Sequence, residues 1–208
     1  MGTRIDRTSE LVALEHRYND AFFKRRCGVA PRVPYVVKAI QEMFDPKSVV
    51  DVGCATGDIV KGLLDVGIDA WGIEGSSAVI PYLVAPPDAV DIMDLREPLE
   101  VCLKYDLAYC IEVAEHIEPE YADIFVNNLC GLSGRVLLSA APPGQKGKGH
   151  VNCQPHEYWI EKMATRGYSN YPEITKAFWS YIRPCGGRKA IRWFFQRNLM
   201  YFEATNGA

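Results

Sequence analysis

The 208-residue sequence predicts an α/β fold built on an open, mostly parallel sheet. Three observations carry that prediction. From residue 48 onward, short apolar runs alternate with longer stretches of helical spacing. Gly53 and Gly57 follow the first run at once, as they do where a strand turns tightly into a helix. Apolar residues make up 48% and charged residues 24%, which supplies one sizeable core and excludes a chain disordered throughout.

The elements follow in order. Residues 8–44 read as helical, long enough for two helices with a break near 28–34. The first strand is 48–52 (SVVDV), followed by a helix over 58–66. A second strand covers 69–73 (DAWGI), and 76–84 is expected to be a helix opened by serine caps. A short third strand falls at 89–92 and a fourth at 106–111 (DLAYCI). Pro119 marks the first turn of a helix over 121–130. The fifth strand, 135–140 (RVLLSA), lies between Gly134 and Pro142-Pro143. A helix over 155–166 stops at Gly167, and 199–204 (LMYFEA) is a late strand. Residues 1–47 are thus expected to form a helical cap on one domain of 48–208.

Charge is distributed unevenly. Residues 48–133 hold three Lys/Arg against sixteen Asp/Glu, while 134–208 hold eleven against four. Such asymmetry suits an anionic partner as well as a solvated face. Seven cysteines form no C-x-x-C pair, so reduced thiols are expected rather than a disulfide framework or a zinc ribbon. No apolar run reaches the length of a membrane span, and the first residues carry charges where a leader would be apolar. The expected setting is cytoplasmic.

In open parallel sheets ligands bind beyond the carboxyl ends of the strands. The first such end reads Asp51-Val52-Gly53-Cys54-Ala55-Thr56-Gly57, and Glu74 closes the second strand, where a carboxylate can accept both hydroxyls of a ribose. With Met93-Asp94-Leu95 after the third strand and Tyr105 to Glu112 along the fourth, the chain resembles the class I S-adenosylmethionine-dependent methyltransferases. The resemblance spans roughly 48–168. It departs from the family's acidic-x-Gly-x-Gly-x-Gly motif only in Ala55, at the middle glycine. It implies a Rossmann-like methyltransferase fold, a seven-stranded sheet with helices on both faces. It further implies S-adenosyl-L-methionine as donor, leaving S-adenosyl-L-homocysteine as product. Cofactor contacts would come from Asp51, Gly53, Cys54, Ala55 and Gly57, from Glu74 and Gly75, from Met93, Asp94 and Leu95, and from Ile111.

An alcohol acceptor must lose a proton as the methyl bond forms, which calls for a base or a metal. Glu112-Val113-Ala114-Glu115-His116 follows the fourth strand, and His150 lies in the loop after the fifth, its neighbour in this fold. Two carboxylates and two imidazoles suit Mn²⁺, Mg²⁺, Co²⁺ or Fe²⁺. The cluster is similar to that of two O-methyltransferase subsets, the ubiquinone-pathway and the small-RNA 2′-O-methyltransferases. Both carry Glu-x-x-Glu-His at this place. That likeness implies Glu112, Glu115, His116 and His150 as metal ligands, with His150, His116 and Glu115 also the candidates for catalysis. Without metal, His150 or His116 could act as general base, or the motif could cap the next helix.

The expected function is O-methylation of a small-molecule hydroxyl, on an acceptor that can be anionic. The alternatives are an RNA 2′-O- or an N-methyltransferase, and a non-catalytic cofactor-binding module. Gly144-Gln145-Lys146-Gly147-Lys148-Gly149 reads as a mobile basic loop near the acceptor. Arg183, Arg188, Lys189, Arg192 and Arg197, interleaved with Trp179, Trp193, Phe194 and Phe195, read as a solvated face over core aromatics rather than a nucleic-acid surface. Tyr18, Arg32 and Tyr35 are further candidate contacts from the cap.

Overall fold

The structure is a computed structural model that describes residues 18–26, 30–100, 104–182 and 197–205. Two cap helices, α1 (Asp20–Lys24) and α2 (Val33–Phe44), precede the sheet. Asn19 caps α1 by accepting the Phe22 N–H, and Pro34 suits the first turn of α2, where an amide would lack a partner. The strands are β1 (Ser48–Val52), β2 (Asp69–Glu74), β3 (Val90–Ile92), β4 (Leu107–Cys110), β5 (Arg135–Ser139), β6 (Tyr168–Asn170) and β7 (Leu199–Ala204). Four further helices are α3 (Asp58–Asp65), α4 (Ala122–Leu132), α5 (His156–Ala164) and α6 (Pro172–Ile182).

The seven strands lie in the order β3-β2-β1-β4-β5-β7-β6. The first five run parallel, and β7 is antiparallel to both β5 and β6. Successive side chains of a strand alternate faces, so a strand buried on both sides reads as a continuous apolar run. Val49, Leu107, Tyr109, Leu137 and Tyr201 pack on one face with α2, α3 and α6. Val50, Ala108, Cys110, Leu138 and Phe202 pack on the other with α4 and α5. This explains why β1, β4, β5 and β7 stand out in the sequence.

Two expectations need correction. The segment expected as an α-helix over 76–84 is a 3-10 helix, Ser77–Tyr82. Pro81 lies inside it, removing a backbone donor and crowding the preceding turn, which shortens the helix and changes its type. Ser76 does not cap it; its hydroxyl donates instead to the Tyr18 carbonyl at 2.7 Å, pinning the start of the cap. The segment after Gly167, left without elements in the sequence reading, holds β6 and α6. Trp179 there packs against the α2/α3/α6 core, in keeping with the core reading of the late aromatics. Arg183, Arg188, Lys189, Arg192, Trp193, Phe194 and Phe195 lie outside the described residues.

Among the described residues, no helix is long and apolar enough to cross a membrane. Cys54, Cys110, Cys130 and Cys153 are free thiols.

Candidate active site

Strand order reverses between β1 and β4, and a cavity of about 1180 Å³ opens at the carboxyl ends around that point. At the end of β1 the chain turns through Gly53, whose φ is +76°. A Cβ there would sit 2.4 Å from Val113 Cγ2, so the β1 and β4 ends approach this closely only around a glycine. Glu74, 9% exposed, accepts the Ala55 N–H at 3.0 Å on one oxygen and the Ser76 N–H at 3.1 Å on the other. Burial pushes its carboxyl above the usual range, and the amides of Ser76, Ala55 and Gly75 oppose that shift. A carboxylate has about four acceptor sites, so Glu74 can still receive two hydroxyls.

Ala55 is left-handed, with φ +48°, at the position where the motif it resembles carries glycine. An L side chain in that region costs about 1–2 kcal/mol, and the looser unfolded state of glycine returns about 0.5–1. Ala55→Gly should therefore stabilise the fold by roughly 0.5 kcal/mol. A lower urea midpoint in the variant would contradict this.

Gly75, Asp94, Leu95 and Ile111 also line the cavity. The Asp94 carboxylate is clamped by Arg96, with Nε at 3.0 Å and Nη2 at 2.7 Å. Arg96, which the sequence reading missed, is 6% exposed and lies 3.8 Å from Glu118 as well. Asp51, Cys54, Gly57 and Met93, also expected as cofactor contacts, do not line it. Asp51 is buried, and that burial, with the nearby Asp58 charge, raises its carboxyl well above the usual range. Gly57 precedes α3 at φ +73°, and Met93 packs against the α4/α5 core. Of the cap residues, Tyr18 and Arg32 reach the cavity, whereas Tyr35 packs into the core.

The second half of the cavity forms around β4 and β5. Glu112 adopts φ +58°, a strained value for a non-glycine residue that recurs at functional sites. Its N–H donates to Ser139 Oγ at 2.8 Å, and its carboxylate accepts from that hydroxyl at 2.7 Å and from Asn198 Nδ2 at 3.0 Å. The Glu115 carbonyl accepts the amides of Val151 and Asn152 at 2.9 and 3.0 Å, which draws the loop after β5 over the turn after β4. His116 Nδ1 then meets the Gly149 carbonyl at 2.9 Å, and His150 Nδ1 meets that of Gln145 at 3.0 Å. Both imidazoles donate from Nδ1 in that pairing and present Nε2 as the acceptor atom.

Potential ligand atoms of Glu115, His116 and His150 lie within 4.8 Å of one another. Glu115 is 0% exposed, and neither carboxylate oxygen has a hydrogen-bond partner among the described residues. Burial, then the neighbouring Glu112 charge, push its carboxyl up to about 8. A buried acceptor without a donor is costly, and here it faces two imidazoles as a cation site would require. Glu112, the fourth expected ligand, does not join the three; Ser139 and Asn198 hold its carboxylate aside. Ser139 and Asn198 do not stand out in the sequence, whereas Gln145 falls in the loop expected near the acceptor. The one signal is that Ser139 and Asn198 are polar residues at the tips of apolar strands.

A family model described as a methyltransferase domain matches residues 24–141. No curated protein matches the chain. Among solved structures, it is similar to the sugar N-methyltransferase KedS8 from Streptoalloteichus sp., at 15% identity and TM-score 0.59, covering 93% of this chain and 92% of that one. It is also similar to magnesium protoporphyrin IX methyltransferase (ChlM) from Synechocystis PCC 6803, solved with S-adenosylhomocysteine bound, at 16% identity and TM-score 0.60, covering 94% and 99%. A third is the methyltransferase domain of bacterial CtHen1, at 18% identity and TM-score 0.56, covering 83% and 96%. At these identities the likeness is one of fold.

Proposed function

Because the chain belongs to the methyltransferase-domain family, we propose that it transfers the methyl group of S-adenosylmethionine to a hydroxyl of a small molecule, with a divalent cation held by Glu115, His116 and His150. The observation that carries this reading is the Glu115 carboxylate, wholly buried, without a hydrogen-bond donor among the described residues and within ligand range of two imidazoles. Methyl transfer from a sulfonium is an in-line displacement, so the protein's main task is to position donor and acceptor. Glu74 holds the ribose hydroxyls and fixes the turn after β1 through the Ala55 amide. Glu112 stays with Ser139 and Asn198, and so sets the backbone from which Glu115 and His116 project. The Gln145 and Gly149 carbonyls hold the two rings in one tautomer. A bound cation would lower the pKa of the acceptor hydroxyl, so that a nucleophile exists near neutral pH.

A second reading has its own support. With Nδ1–H tied to the Gln145 carbonyl, His150 Nε2 can take the hydroxyl proton itself, without a metal. A chelator separates the two. Methyl transfer from labelled donor to a panel of hydroxyl compounds should be lost in chelator and restored by Mn²⁺ or Mg²⁺, and calorimetry should show the same cation binding the wild type and not His150→Ala. Chelator-insensitive activity that still needs His150 makes that residue the base. Full activity in both His116→Ala and His150→Ala would overturn both readings.

A further inference from the structure

Charges of both signs line the cavity, and they are not paired evenly. Most of its acidic groups are engaged: Asp58 lies 3.9 Å from Arg32, Asp94 and Glu118 share Arg96, Glu74 accepts two backbone amides and Glu112 accepts from Ser139 and Asn198, which leaves Glu115 facing the two imidazoles. Three cations of the same lining, Arg25, Lys146 and Lys148, are exposed and form no ion pair among the described residues.

Their placement follows from the loop. Its ends are tied down, by the Gln145 side chain on Glu112 and Asn198 and by the Val151 and Asn152 amides on the Glu115 carbonyl. Gly144 and Gly149 take φ of +85° and +80° at its two bends. Between Lys146 and Lys148, Gly147 passes so close to the His150 ring that a Cβ would fall 2.0 Å from Nε2. The two lysines therefore flank the residue that packs against the His150 ring. Arg25 enters from the end of α1; that cap segment meets the same cluster through Tyr18, whose ring lies edge-on to His116 at 5.7 Å.

We infer that the methyl acceptor carries an oxyanion group, a phosphate or a carboxylate, which Lys146 and Lys148 hold beside His150 with Arg25 completing the site. The inference rests on reading this half of the cavity as the acceptor side. Lysine serves as a point charge for either oxyanion, and glycine-rich backbone lets such a group come close.

The full chain, saturated with S-adenosylhomocysteine in low salt, is titrated by calorimetry with inorganic phosphate and separately with benzoate. S-adenosylmethionine affinity is measured on the same preparations. At least one oxyanion should bind saturably and weaken about tenfold or more in K146A/K148A, as expected when charge-assisted hydrogen bonds are lost. K146R/K148R, which keeps the charge, should retain binding. Affinity should also fall as salt approaches 1 M, where screening shortens to about 3 Å. Phosphate alone would identify a phosphate ester as the acceptor, and benzoate alone a carboxylic acid. The inference is overturned if neither anion saturates, if K146A/K148A binds as the wild type does, or if the anion competes with S-adenosylhomocysteine. Failure of S-adenosylmethionine to bind would instead count against the proposed function, and the anion titration would still decide the charge of the pocket.

Discussion

Glu115→Leu should abolish methyl transfer while leaving the cation-free protein at least as stable as the wild type. The first half follows from its place in the acceptor cluster, within 4.8 Å of ligand atoms on His116 and His150. Losing a group that helps deprotonate an alcohol typically costs roughly 10²–10⁴-fold in rate. The second half follows because its buried oxygens have no hydrogen-bond partner among the described residues, His150 Nε2 standing 3.9 Å away, and an unsatisfied buried group costs about 1–3 kcal/mol that leucine of similar size does not incur. A residue kept only to shape the turn would behave in the opposite way, and its loss would lower the melting temperature. Linkage adds a pH signature. The carboxyl titrates at about 8 in the folded chain against the usual 4.5, so the folded state binds the proton more tightly. Stability from this group is complete below about 4.5 and is lost as pH rises through about 8. Melting curves of wild type and Glu115→Gln without metal should therefore diverge across that window, with the wild type falling on the alkaline side. Parallel curves, or a destabilised Glu115→Leu, would remove Glu115 from the functional cluster.

Glu74→Ala should weaken S-adenosylmethionine binding by about 1.5–3 kcal/mol, or roughly 10- to 150-fold, the range for hydrogen bonds to a charged group. The buried carboxylate already spans the Ala55 and Ser76 amides, so it would receive ribose hydroxyls without reorganising. Its removal also leaves those two amides without their acceptor, so some loss of stability should accompany the loss of affinity. Glu74→Gln, whose amide oxygen can accept only one set of these bonds, should fall between alanine and wild type. Calorimetry on folded variants decides the matter, and unchanged affinity in Glu74→Ala would take the residue out of the site.

Much of the frame was legible because the physics behind it is local. Strands β1, β4, β5 and β7 face a core on both sides, so their apolar runs are unbroken and easily read. Gly53 announces a tight turn wherever it stands, and the structure adds that Val113 leaves no room for a Cβ. Strand β6 was not legible. Its three residues, Tyr168–Asn170, have no period to detect and are a strand only because β7 offers an antiparallel edge. The serines at 76 and 77 suggest a capped α-helix, but Pro81 acts from inside the turn and leaves the 3-10 helix Ser77–Tyr82.

The sequence by itself determined the fold class, the turn after β1, the acid at the end of β2 and the presence of carboxylates and imidazoles at two neighbouring strand ends. Each is written in residues a few positions apart. Tertiary structure alone decided which of those groups meet. The Glu115 carbonyl anchors the Val151 and Asn152 amides, and that link brings His150 to Glu115 and His116. Ser139 and Asn198 hold Glu112 aside, from strands that become neighbours only when β7 inserts beside β5. Arg96 is likewise unremarkable in the sequence, and becomes the partner of Asp94 and Glu118 through burial. Hydrogen bonds between residues dozens of positions apart leave no periodicity in a chain; they exist only once the sheet has fixed both ends.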